Sequence, residues 1–130
     1  MRRLELPGRG EDMPRLEDRD IGLIRELGVP GMKEQIRKIV ESKLEEQPEN
    51  DGLQTPSAGN PVYKAMHACR CSSRKELSRA HHIPAGKELS DKEVDSVVNL
   101  LTRWVVREYN FYLEEEQSQR NLKQFSRNEE

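Results

Sequence analysis

Apolar residues recur along this chain at helical spacing, in separate blocks. Ile21, Ile24 and Leu27 fall at i, i+3 and i+6, one face of a short helix that Asp18 or Asp20 can cap. Gly28 suits the left-handed position that ends such a helix. Pro30 fits the first turn of the next helix, where its missing N–H is not needed. That helix carries Met32, Ile36, Ile39, Val40 and Leu44 as one stripe, with Lys33, Glu34, Arg37, Lys38 and Glu41 over the rest of its surface. Gln47-Pro48-Glu49 stops it.

The middle of the chain is punctuated more often. Asn50-Asp51-Gly52 is a turn signal, and Thr55 to Gly59 continues as irregular chain. Asn60-Pro61 reads as an N-cap with proline at the first helical position. The helix it starts, to about Cys69, puts Val62, Met66 and Cys69 on one face and Tyr63 and His67 on another. Ser73-x-x-Glu76 has the form of a capping box and opens a short helix through about His81, with Leu77 and Ala80 or His81 facing in. Ile83-Pro84-Ala85-Gly86 breaks it. Ser90-x-x-Glu93 is a second capping box. It opens the longest helix, whose stripe runs through Val94, Val97, Val98, Leu101, Trp104, Val105, Tyr109 and Tyr112 to roughly Glu116.

No alternating strand pattern and no repeat interrupts this series. The predicted fold is all-α: a small single domain with two main amphipathic helices flanking a loop-rich middle with short helices. Residues 16–116 form the domain. Residues 1–15, with Pro7, Gly8, Gly10 and Pro14 among charges, read as a disordered tail, and 117–130 as a frayed polar one.

Composition narrows the class. Of 130 residues, 33% are hydrophobic and 35% charged, so the core is small and its stability modest. No apolar run is long enough to span a membrane. Arg2 and Arg3 are followed by no apolar segment of the signal-peptide kind. The two cysteines, in a C-x-C arrangement, make no disulfide framework. The expectation is a cytoplasmic protein with reduced thiols and no membrane partner.

The net charge of −2 conceals a segregation of signs. Lys64, Arg70, Arg74, Lys75, Arg79 and Lys87 face only Glu76 in the stretch 64–87, whereas Glu41, Glu45, Glu46, Glu49 and Asp51 face only Lys43 in 41–51. A basic stretch of this kind attracts an anionic small molecule or nucleic acid, or simply solvates a helix face.

All three histidines and both cysteines also lie here, spaced H-x-C-x-C-x9-H-H. His67, Cys69, Cys71 and His81 have the donor types of a zinc site, without the C-x2-C spacing of common ones. The same thiols read equally as small hydrophobes. His67 and His81 are also candidates for acid–base catalysis on an anion held by Arg74 or Arg79. His82 ends the same helix, where a cation suits the dipole. Nucleic-acid contact through Arg74 to His82, and a partner helix on Trp104, Tyr109, Phe111 and Tyr112, are further readings.

The segment 50–89 resembles an uncharacterised prokaryotic family of domains of unknown function. Its pattern is N-D-G-x-Q-T-P, then H-P-V, then Q-H-A-T-A-T-C-C-R-x-C-L-x-x-W-H-x-I-P-x-G-x-x-L. Here Asn50, Asp51, Gly52, Gln54, Thr55 and Pro56 match the first part, and Pro61 and Val62 the second. His67, Ala68, Arg74, Leu77, His81, Ile83, Pro84, Gly86 and Leu89 match the third without a gap. With the flanking helices the resemblance covers roughly residues 16 to 108. The family's cysteines fall at Ser72, Ser73 and Glu76, its tryptophan at Ala80, and Cys69 and Cys71 stand where it has threonine. The resemblance implies the fold and the place of a site, and no activity. The leading expectation is therefore a binding module for an anionic ligand, with a transition metal as an option. Asn50, Asp51, Thr55, Arg74 and Arg79 are its ligand-binding residues. A small hydrolase is the runner-up.

Overall fold

Helix stripes that cannot stay in water pair with one another, and here they do so around the longest helix. The computed structural model describes residues 3–45 and 60–128. Among these residues there are four helices: α1 (Asp18–Val40), α2 (Pro61–Ala68), α3 (Arg74–His81) and α4 (Asp91–Asn128), with one wider π-helical turn (Glu41–Glu45) continuing α1. There is no strand among the described residues, and the fold is all-α. α4 packs against both α1 and α2. The core is one cluster, with Met32, Ile36, Val40 and Leu44 from α1 and its extension meeting Val97, Val98, Leu101 and Trp104 of α4 and Val62 and Met66 of α2.

The two helices expected on either side of Gly28 are both present, and α1 is the pair of them joined across a kink. Gly28 sits at φ 71, ψ 173, a non-helical conformation inside α1, and Pro30 follows at the start of the second half. Those torsions lie in a region open almost only to glycine. Asp20, in the first turn, accepts from the Glu17 N–H at 2.8 Å, as a capping group should. Its other partner is unexpected. Lys64 of α2 is almost fully buried and reaches Asp20 Oδ2 at 2.6 Å and the Arg15 carbonyl at 3.0 Å. A charged residue read from sequence as part of a basic surface is thus a tie between α1 and α2.

The caps of the short helices follow the sequence. Asn60 Oδ1 accepts from Val62 N–H at 2.8 Å, Ser73 Oγ from Glu76 N–H at 3.1 Å, and Ser90 Oγ from Glu93 N–H at 3.2 Å. α4 continues beyond the expected end near Glu116 to Asn128.

Composition makes residues 1–15 a disordered tail, and the structure differs for residues 3–15. This arm has no regular structure, yet Leu4 is buried in the core. Arg103 Nη2 donates to the Leu4 carbonyl at 2.6 Å and Arg107 Nη1 to the Pro7 carbonyl at 2.5 Å. Arg9 Nε lies 3.1 Å from both oxygens of the buried Glu108 carboxylate, with its guanidinium 3.9 Å over the Phe111 ring. Leu4, with Leu6 and Met13 packed beside it against the core, and three arginines hold a segment that periodicity cannot detect, because nothing in it repeats.

Candidate functional site

The middle segment turns most of its chemistry inward. α2 ends in a Schellman turn: Cys71 N–H donates to the Met66 carbonyl at 2.7 Å and Arg70 N–H to the His67 carbonyl at 3.3 Å. Arg70 takes the left-handed position, φ 57, that glycine usually fills. The turn buries Cys69 and Cys71. Burial pushes the Cys69 thiol up to about 12, against the weaker opposing pull of Arg107 and Arg103. Burial also pushes Cys71 well above the usual thiol range. Cys71 Sγ donates to the Cys69 carbonyl at 3.4 Å. A protonated, enclosed thiol is not a nucleophile.

The histidines sit at the edge of this turn. His81 Nε2 lies 2.7 Å from the Cys69 carbonyl. A carbonyl only accepts, so Nε2 carries the proton and serves as a strut between α3 and the turn. His67 is half-buried and His82 exposed, the latter left-handed at φ 59 where α3 ends. Among the described residues no group of three or more His, Cys, Asp or Glu stands close enough to hold a metal ion. His67, Cys69, Cys71 and His81 are therefore not gathered as a zinc site would require. Glu76 is likewise turned inward: its Oε1 accepts from the Ser72 N–H at 3.0 Å and from the Ser72 hydroxyl.

Arg74 is wholly buried. Its Nη1 donates to the Leu44 carbonyl at 3.1 Å, and its Nη2 to the carbonyls of Pro84 and Lys87 at 2.9 and 2.8 Å. A planar fork of donors suits several carbonyls arriving from different directions. Arg74 thereby fastens the loop after α3 to the end of α1. A residue expected to hold a ligand holds the fold instead, because the carbonyls at the ends of helices need donors. Arg79 and Lys75 are exposed on α3. Asn50, Asp51 and Thr55 lie outside the described residues. The basic stretch seen in sequence is thus divided, with Lys64 and Arg74 inside and the others on the surface.

Outward-facing cations converge elsewhere. The arm lies along α4 and leaves an open groove of about 650 Å³. Arg3, Lys33, Arg103 and Arg107 line it, with Asn99 and Asn110 among them and Glu5 as its single acid. Arg103 is fixed by a bond from Nε to Asn99 Oδ1 at 2.8 Å. Its pKa is lowered, first by burial and next by the charge of Arg3. Two like charges are therefore held in each other's field at the edge of the protein. Sequence reasoning missed this groove. Asn99, Arg103 and Arg107 recur every four residues on α4, which is a legible signal. Composition places Arg3 in a tail and the helix pattern places Lys33 on a solvated face, so nothing in the sequence points to their convergence.

A second cavity opens beside the first. It measures about 400 Å³ and lies between the Gly28 kink of α1 and α4. Its walls are mostly apolar: Ile24, Val29, Met32, Ile36, Val105 and Tyr109. Arg25 stands at the rim and donates from Nε to the Tyr109 hydroxyl at 3.2 Å.

A small all-α domain, built around one long helix and bearing a cationic groove beside an apolar crevice, is the class these features define. A family model described as domain of unknown function (DUF4186) matches residues 11–106, and the chain belongs to that family. No solved structure matches it. No helix among the described residues is long and apolar enough to cross a membrane.

Proposed function

We propose that this protein is a small helical binding module for an anionic ligand, and that the ligand lies in the groove between the N-terminal arm and α4. One observation carries the reading: Arg3, Lys33, Arg103 and Arg107 line a single groove whose lining holds one acid, Glu5, with Arg107 also 3.0 Å from the buried Glu108 beside it. Like charges held together raise the free energy of the empty site, and an anion placed among them relieves it. Guanidinium groups also offer fixed forks for the paired oxygens of phosphate or carboxylate. Arg103 uses Nε and Nη2 to hold its place, and its Nη1 makes no bond among the described residues.

Calorimetry with inorganic phosphate at low ionic strength tests the reading. The expected result is saturable binding that weakens as salt is raised and falls at least tenfold in Arg103→Gln and in Lys33→Gln. Binding that is absent, or that neither substitution alters, refutes it. A second reading, contact with a nucleic-acid backbone, is favoured by the exposure of Lys75 and Arg79 at i and i+4 on α3, with His82 exposed just past its end. A Lys75→Gln/Arg79→Gln variant that loses binding to single-stranded DNA while keeping phosphate binding supports it.

A further inference from the structure

The groove and the crevice are two halves of one surface. Thr102, Val106 and Asn110 line both. Spaced four apart, they form a single ridge along α4. On one flank of the ridge lie Asn99, Arg103 and Arg107, facing the arm, and on the other lie Val105 and Tyr109, facing the Gly28 kink. The ridge is low, since none of its side chains is large. α1 repeats the division in adjacent residues: Lys33 lines the cationic side and Met32 the apolar side.

We infer that the ligand is an amphipathic anion, a single dissolved alkyl or acyl chain ending in a phosphate or carboxylate. Its charged end lies among Arg3, Lys33 and Arg103, and its chain crosses Val106 into the crevice. The inference rests on the anion-binding reading and adds the apolar half of the ligand. The observations select this class on three counts. The crevice is apolar and lies within the size range of small-molecule sites. It offers Arg25 and Tyr109 at its rim but no acid in its lining, so it does not favour a cationic ligand. It is also formed by a backbone break. An uninterrupted α1 would have no Gly28 turn to hold its two halves apart, so the opening is a built feature of the fold and not a packing fault.

The test compares octyl phosphate, kept below its micelle concentration, with inorganic phosphate, octanol and octylammonium, by calorimetry and by amide NMR shifts. Octyl phosphate is expected to bind at least tenfold more tightly than inorganic phosphate. It should move amides on both flanks, those of Asn99 and Arg103 together with those of Val29 and Tyr109. Val29→Asp, at a crevice-rim position already 52% exposed and outside the groove's lining, should remove the advantage of the alkyl chain and leave inorganic phosphate binding as it was. Arg103→Gln should weaken both anions. Equal affinity for octyl phosphate and inorganic phosphate overturns the inference and leaves the anion reading standing. Failure of both anions overturns the anion reading and this inference with it. Octanol or octylammonium binding as tightly as octyl phosphate overturns the joined site. So does binding to anionic phospholipid vesicles without binding to dissolved octyl phosphate, which would assign the charge to a membrane surface instead.

Discussion

Two glycines of α1 should respond in opposite directions to the same change. Gly22 lies in regular helix, and a Cβ placed there meets nothing within 4 Å. Gly22→Ala therefore removes a helix-interior glycine without a steric cost, and should stabilise the protein by about 0.5–1 kcal/mol. Gly28 has φ 71 and ψ 173. A Cβ there would meet only Pro30 Cδ, at 3.8 Å, an ordinary contact. The penalty is thus torsional and not a clash, and holding an L-residue in that region costs about 1–3 kcal/mol. The two variants should then differ by roughly 1.5–4 kcal/mol, which at about 4 °C per kcal/mol for a domain near this size is roughly 6–16 °C in Tm. Urea unfolding followed by far-ultraviolet circular dichroism measures both, with a common slope confirming that only stability has changed. If Gly28→Ala were stabilised as Gly22→Ala is, α1 would run straight in solution. The crevice beside the kink would then have no structural basis.

Three further outcomes follow from the buried polar groups. Arg74→Lys replaces a fork that serves three carbonyls by a single ammonium, leaving at least one carbonyl unmet, and should cost about 2–4 kcal/mol in urea unfolding, whereas Arg79→Ala should stay within about 0.5 kcal/mol. Asp20→Ala or Lys64→Met alone should cost about 3–5 kcal/mol by stranding a buried charge, and the double variant should recover much of that loss; strictly additive losses would mean the two groups do not interact. Cys69, whose thiol burial pushes up to about 12, keeps its proton in the folded state when the unfolded thiol, near pH 9, has lost it. Stability is then fully present below about pH 9 and declines as pH rises from there toward 12, because the unfolded chain releases the proton first. Cys69→Ala should show a shallower decline over that window, and an unchanged slope would refute the assignment.

The apolar pattern was sufficient for the helices because it is local. Ile21, Ile24, Met32, Ile36, Val40 and Leu44 are all buried, as their spacing requires. Leu27, in the same stripe, is 38% exposed, since the kink that follows it turns its face away from α4. Leu100 lies outside the stripe read from sequence, yet it is fully buried. A helix stripe assumes one partner face, and α4 is covered by α1, α2 and the arm. Charged residues were the least legible. Lys64 and Arg74 differ from Lys75 and Arg79 only in what the fold brings to them. Asp20 lies 44 positions from Lys64, and Leu44 lies 30 from Arg74. The cysteines follow the plainer of their two readings, as small buried hydrophobes, because both lie on the inner side of a tight turn.

The distribution of polar chemistry also separates what holds this fold from what it presents. In the segment where cysteine, histidine and arginine are densest, donors and acceptors mostly meet each other: Arg74 with three carbonyls, His81 with the Cys69 carbonyl, Glu76 with Ser72. Such closed networks fix short helices that are too short to stand alone. A ligand site needs the reverse, polar groups aimed at one another's space but not satisfied there. On the arm side of α4 that condition is met in part: Arg103 and Arg107 are bonded to the Leu4 and Pro7 carbonyls, while Arg103 Nη1 makes no bond among the described residues. Of the groove's cations, Lys33 and Arg103 fall within the stretch matched by the family model, 11–106, while Arg3 and Arg107 fall outside it. The crevice is built almost wholly from residues inside that stretch, Tyr109 and Asn110 excepted. Most of the crevice therefore lies within the stretch that the family model covers, and half of the cationic set lies outside it, on the arm and the far part of α4. Relatives that share the kink but lack an equivalent of Arg3 and Arg107 would keep the crevice and hold an anionic head less strongly.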